Sequence, residues 1–222
     1  MTRVLVLALR DLRLEMRGRA GLLSAFSFIA VVLFIMGIAF GPEEANLRRA
    51  GPGVLWVALA FAGSMLASRA WAIEVENETL DDLLLTPGSR EWIYVGKLLF
   101  LWILMFFMGV FLLLLVAAWF YLPLSAWPQL FVTLVLGATG YTVVSAFYAG
   151  LTVRLRARDV LLYLLVFPLI LPVVLAAVKA TLGIVDPVAD FAEVISWWKL
   201  LGIFDVVYAT LCILLFPAVI EG

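Results

Sequence analysis

A chain of 222 residues that is 66% hydrophobic, with a mean hydropathy of +1.16 and only 14% charged side chains, falls outside the composition of soluble domains, where apolar residues are about half. Histidine is absent and Cys212 is the single cysteine, so neither a metal cluster nor an internal disulfide is expected. The net charge of −1 gives no sign of a nucleic-acid partner.

Lipid is therefore the solvent for most of the chain. At roughly 20 residues per span, its length suits one domain of six helices and leaves no room for a soluble nucleotide-binding domain. The N-terminus does not read as a cleaved signal peptide, because Arg3, Arg10, Arg13, Arg17 and Arg19 run through the region where a short apolar core would sit. In residues 1–19, Leu5, Leu9, Leu12 and Met16 share one helical side and Arg3, Arg10, Arg13 and Arg17 gather opposite. That pattern describes either a basic amphipathic helix in the cytoplasmic interface or a plain basic anchor.

Uncharged runs place spans at about 20–40 and 53–73, the second carrying Arg69 near its end. No charge occurs between Leu98 and Val153, and the Pro- and aromatic-rich stretch Trp119–Pro128 divides this run into spans at about 98–119 and 128–153. Two more are expected at about 160–180 and 200–220. Continuous apolar runs favour helices over a barrel, whose strands alternate. Eleven Lys and Arg fall on one side of this arrangement, whereas Arg48, Arg49, Lys179 and Lys199 fall on the other. The positive-inside rule then puts both termini in the cytoplasm, with cytoplasmic loops at 74–97 and 154–159.

The loop Glu74–Lys97 is the most informative segment. It concentrates Glu74, Glu76, Glu78, Asp81, Asp82 and Glu91 in an otherwise apolar chain. Thr79 and Asp82 fit a capping box, Leu80, Leu83 and Leu84 form an apolar face, and Pro87-Gly88 ends the helix. A short acidic amphipathic helix of this kind suits docking into a groove on a soluble partner; a solvated loop is the plainer reading. Further along, Pro168 and Pro172 remove ladder bonds one turn apart and are expected to kink or loosen span five. Asp205, about two turns inside span six, is a costly intramembrane acid whose hydrogen bonding Tyr208 is placed to share, unless the helix enters later and leaves Asp205 interfacial. Trp197-Trp198 suit an interfacial belt more readily than a haem-handling segment.

No phosphate loop of the form G-x-x-x-x-G-K-[ST], no G-x-S-x-G and no histidine-based dyad occurs. No catalytic residue is assigned, and any energy for work must come from another chain.

At these residues the sequence resembles the type-2 ABC permeases, in which E-x-E-x-x-T-L-x-x-L-L-x-T-P followed by G-K leads into the third span. The matching positions are Glu74, Glu76, Thr79, Leu80, Leu83, Leu84, Thr86, Pro87, Gly96 and Lys97. Within that group it is most similar to the haem exporter protein B (CcmB) family of cytochrome c maturation. The resemblance rests on GPGVLWVALAFA at Gly51–Ala62, on Arg69-x-Trp71-x-x-Glu74, on the segment from Arg154 to Ala177, and on LCILLFPAVIEG at Leu211–Gly222.

It implies an all-α membrane permease with an interfacial elbow helix, six spans and a coupling helix at about Glu74–Pro87 inserted into a cytoplasmic ATPase. It implies a dimeric permease in the bacterial cytoplasmic (inner) membrane, carrying two ATPase subunits (CcmA). The haem-handling protein CcmC and the small subunit CcmD are implied neighbours, with delivery of haem to the chaperone CcmE as the outcome. ATP would sit on the partner, haem would be cargo of the complex, and no cofactor would be bound by this chain alone. The absence of histidine favours transmission of ATP-driven motion over passage of haem through this subunit. A type-2 ABC permease for a drug, lipid or polysaccharide shares the coupling segment, and a membrane-complex scaffold without a transport path is the alternative from another class.

Overall fold

The computed structural model describes residues 2–76, 85, 90–153, 155, 158–186 and 189–221. Among these the chain is entirely helical: α1 (Thr2–Gly18), α2 (Ala20–Ala39), α3 (Glu44–Glu76), α4 (Glu91–Trp119), a 3-10 turn (Leu124–Ala126), α5 (Trp127–Thr152), α6 (Arg158–Val185) and α7 (Phe191–Glu221). Helices α2 to α7 are the six long and apolar enough to cross a bilayer, as expected of a helical permease.

Several helices run past the apolar windows. The α3 helix starts at Glu44, and α4 starts at Glu91. Hydropathy finds the lipid-crossing part of a helix, whereas backbone hydrogen bonding continues into charged turns where water or ion pairs solvate the side chains. Helix α6 ends at Val185 and α7 begins at Phe191. There the Asp190 carboxylate accepts the Ala192 N–H at 2.9 Å, satisfying one orphan donor of the first turn.

The bundle is built around α3 and α5, the most buried spans, while α2 is among the least buried and packs mainly on α3. Close approach depends on small residues. A Cβ on Gly137 would drive into the Trp56 ring, and the indole Nε1 donates to Thr181 Oγ1 at 2.9 Å, which joins α3, α5 and α6. Tyr94 donates from α4 to the Val143 carbonyl at 2.8 Å, and Trp71 donates from α3 to the Ala146 carbonyl at 3.2 Å. Outward-facing side chains are apolar, Val206 being 69% exposed and Phe107 67%. That girdle is what acyl chains would cover.

The six-span order places α1, the α3–α4 connection and the end of α7 on one face, called here the termini face. The α2–α3 link and the α6–α7 link lie on the opposite face.

Candidate functional site

The α1 helix has three sides. Leu5, Leu9 and Met16 are exposed, as suits a side lying on lipid, and Arg3, Arg13 and Arg17 point away from the bundle. The third side, Leu7, Ala8, Asp11 and Glu15, is buried against the spans. Two carboxylates are therefore carried inward by i, i+4 spacing.

They meet the ends of α3 and α4. Lys97, one and a half turns into α4, is 1% exposed, and Glu74, two residues before the end of α3, is also 1% exposed. Lys97 Nζ lies 2.8 Å from Glu74 Oε1 and 2.8 Å from Asp11 Oδ2, and it donates to the Ala70 carbonyl at 2.9 Å. Arg10 donates to Asp11 Oδ1 at 2.8 Å and is paired with Glu74 as well. The cluster thus balances two buried carboxylates against Lys97 and the half-buried Arg10. Burial draws the Arg10 guanidinium pKa down, but Asp11 and Glu74 outweigh it and raise it above its ordinary value.

Glycine makes the approach possible, since a Cβ on Gly96 would press into Leu7 of α1. A second tie lies one turn further along α1. Glu15 Oε1 accepts the Leu22 N–H at 3.0 Å, and Glu15 Oε2 is 3.7 Å from Arg69 Nε. Between the helices Arg19 has φ 54, a left-handed residue that turns the chain from α1 into α2.

The cluster connects to the core through aromatic rings. Lys97 Nζ is 5.5 Å from the Trp71 ring centroid, and the Trp71 and Tyr94 rings lie 5.7 and 5.2 Å from that of Phe216 near the end of α7. The two ends of the α3–α4 connection are therefore fixed to each other, to α1, and to α5 and α7. A displacement of that connection has no way to leave α1 and the core unaffected unless this cluster opens.

Of the residues singled out from sequence, Glu74 is at the centre of the cluster. Glu76 closes α3, and Glu78, Thr79, Leu80, Asp82, Leu83, Leu84 and Pro87 lie outside the described residues. Asp205 is buried in α7 beside α5 and α6: a Cβ on Gly140 would meet its Oδ1, and Val173 is adjacent. That Oδ1 has no hydrogen-bond partner among the described residues. The Tyr208 ring stacks on Phe204 at 3.9 Å and does not bond to that oxygen. Helix α6 runs unbroken through Pro168 and Pro172, and both are exposed on the side away from buried Val166, Ile170 and Val173. Trp198 donates to Thr133 Oγ1 at 2.8 Å and so ties α7 to α5, whereas Trp197 donates to Glu193 at 3.3 Å within α7.

Sequence reasoning missed Asp11, Glu15 and Arg69 as members of a site, and it used Lys97 only as a motif match. The available signal was the pair of acids at i, i+4 in a helix whose other charged residues are basic.

Comparison with known proteins agrees with this architecture. The family model described as "CcmB protein" matches residues 2–222. Heme exporter protein B of Paracoccus denitrificans is 36% identical over 168 residues, covering 73% of this chain and 75% of the relative. That of Rhodobacter capsulatus is 33% identical over 160 residues, covering 72% and 73%, and that of Pseudomonas aeruginosa is 31% identical over 167 residues, covering 74% of each. With a match over nearly its whole length, the chain belongs to the CcmB protein family.

Proposed function

We propose that this chain is the membrane-spanning permease subunit of an ABC-type haem exporter serving cytochrome c maturation, and that it converts ATP hydrolysis by a partner ATPase into movement of its spans. The observation that carries this reading is the buried cluster of Asp11, Glu74 and Lys97, which fixes both ends of the α3–α4 connection to each other and to α1. A connection so anchored is suited to receive force from outside the membrane and pass it to rigid helices.

In this reading residues 1–222 act as one permease domain, and the segment from Glu74 to Pro87 is the coupling element. Glu76, Glu78, Thr79 and Asp82 would meet polar groups of the ATPase, while Leu80, Leu83 and Leu84 fill its groove. The basic termini face is cytoplasmic and the membrane is the bacterial inner membrane. A second copy of this chain, two copies of CcmA, and CcmC and CcmD complete the complex, and CcmE is the chaperone served. ATP is held by the ATPase, and haem is the cargo. Asp205, with Tyr208 and the two prolines of α6, belongs to the interface of α5, α6 and α7 that would rearrange.

Transmission is favoured over passage of haem through one chain's bundle. The cavity among Trp56, Met105, Tyr141 and Val173 holds only about 10 Å³, room for one water at most and far too little for a macrocycle. The test is to purify the tagged full chain from its membrane in mild detergent and identify stoichiometric partners by mass spectrometry. Recovery of a soluble ABC ATPase with haem-handling proteins is expected. An ATPase without them would point to a permease for another substrate, and no ATPase at all would defeat the coupling argument.

A further inference from the structure

On the face opposite the termini, the start of α3, the end of α6 and the start of α7 enclose a pocket of about 850 Å³, within the size range of small-molecule sites. Its charged lining is mixed: Arg48, Arg49 and Lys179 supply three cations, and Glu44, Asp186 and Glu193 supply three carboxylates. This concentration departs from the rest of the surface on that side. Among the described Lys and Arg residues, four belong to this face, the fourth being Lys199, and three of the four line this one pocket.

The groups are disposed for a ligand. Arg48 is half-buried; its terminal nitrogen donates to the Val185 carbonyl at 3.3 Å, which holds the guanidinium in place, while its buried Nε has no hydrogen-bond partner among the described residues. Arg49 and Lys179 are exposed. Glu193 is oriented by the Trp197 indole at 3.3 Å. Leu182 and Val185 add an apolar wall at the end of α6, and Trp197 and Trp198 stand near the start of α7, residue types enriched at membrane interfaces. Cations alone would select an anion. Equal numbers of cations and carboxylates, at the ends of lipid-crossing helices and beside an apolar wall, match a ligand bearing both signs and an acyl tail.

We propose that this pocket binds a zwitterionic phospholipid headgroup, with Arg48, Arg49 and Lys179 receiving the phosphodiester and Glu44 and Glu193 receiving a primary ammonium group. Guanidinium recognises phosphate through charge-assisted, forked hydrogen bonds, and an ammonium with N–H donors is matched to carboxylates. The assignment does not depend on the cargo or on the ATPase, since it concerns a different face of the molecule.

The test uses the full chain with whatever subunits copurify, stripped of lipid in mild detergent. It is titrated with phosphatidylethanolamine, phosphatidylglycerol and soluble glycerophosphoethanolamine, and retention is read by native mass spectrometry. Phosphatidylethanolamine should be held about tenfold more tightly than phosphatidylglycerol. The Arg49→Gln/Lys179→Gln variant changes two exposed side chains that make no hydrogen bond among the described residues, and it should weaken that retention about tenfold. Glu193→Gln should narrow the preference between the two lipids. Equal retention of both lipids by the unaltered chain would overturn the zwitterionic assignment. So would unchanged retention in the double variant, and binding of glycerophosphoethanolamine as tight as that of the lipid would overturn the role of the membrane.

Discussion

Lys97 and Glu74 are separated by the whole acidic connection yet lie 2.8 Å apart, each 1% exposed. The last turns of α3 and the first turns of α4 are therefore clamped where the chain leaves and re-enters the bundle. Asp11 adds the elbow helix to the same clamp through a second 2.8 Å contact with the same ammonium.

Replacing Lys97 by Met keeps the side-chain volume and removes the shared cation. Asp11 and Glu74 then remain buried with only the half-buried Arg10 to balance them, and loss of one partner from a buried set costs about 3 kcal/mol. A clear fall in the melting temperature of the detergent-solubilised protein is expected. Neutralising the three buried members, with Asp11→Asn, Glu74→Gln and Lys97→Met together, should recover most of that loss, because the one charge left, on Arg10, is only half-buried and open to solvent. The triple variant should still fail to support cytochrome c maturation, since α1 is no longer tied to the connection. Full maturation in the triple variant would reduce the cluster to a folding device.

The connection itself is addressed by Leu83→Asp and Leu84→Asp. If these leucines fill a groove on the ATPase, a buried carboxylate there costs more than the interface returns. Co-purification of the ATPase should be lost while the chain still inserts and elutes as a single species in size-exclusion chromatography. Retention of the partner by both variants would sink the coupling assignment.

The spans were legible because lipid imposes one rule on every outward side chain, so hydropathy reports directly on α2 to α7. The site was only half legible. Glu74 stood out as the start of an acidic run, but Asp11 and Glu15 sit among five arginines, where acids ordinarily read as a solvated helix face. Lys97 marked the edge of an uncharged stretch, and edges of such stretches are usually where water begins. What turned it inward was tertiary: Gly96 lets Leu7 approach, and the approach of α1 brings the carboxylate that solvates the ammonium. Single-helix patterns carry no information about that meeting. Asp205 was visible as a charge at membrane depth, while the stacking of Tyr208 on Phe204 depended on rotamers that spacing does not determine.

Glu15 offers a narrower test of the elbow. Its carboxylate accepts the Leu22 N–H across the left-handed Arg19, acting as the cap for the first turn of α2, and also faces Arg69. Glu15→Gln keeps an acceptor for the N–H and should cost little, whereas Glu15→Ala should cost about 1 kcal/mol from the cap alone. Comparing the melting temperatures of the two variants separates capping from ion pairing. Equal losses would assign the effect to the charge facing Arg69.

At the centre of the bundle, Gly140 and Asp205 are expected to behave as one unit. An alanine Cβ at position 140 would come 2.5 Å from Asp205 Oδ1 and 3.2 Å from a Val173 methyl, both on buried side chains. Overpacking of this kind costs about 1–3 kcal/mol, so Gly140→Ala should lower the melting temperature and slow any movement of α7 against α5. Shortening the acid in the same chain, as Gly140→Ala/Asp205→Ala, removes the closer of the two contacts and should restore much of the stability, with a coupling energy of about 1 kcal/mol in the double-mutant cycle. Asp205→Asn provides the complementary measurement, because it preserves shape and removes the ability to carry charge. If Asp205 is only a spacer against Gly140, Asp205→Asn will mature cytochrome c as well as the unaltered chain. If its acid character serves the rearrangement of α5, α6 and α7, maturation will fall while the melting temperature holds or rises.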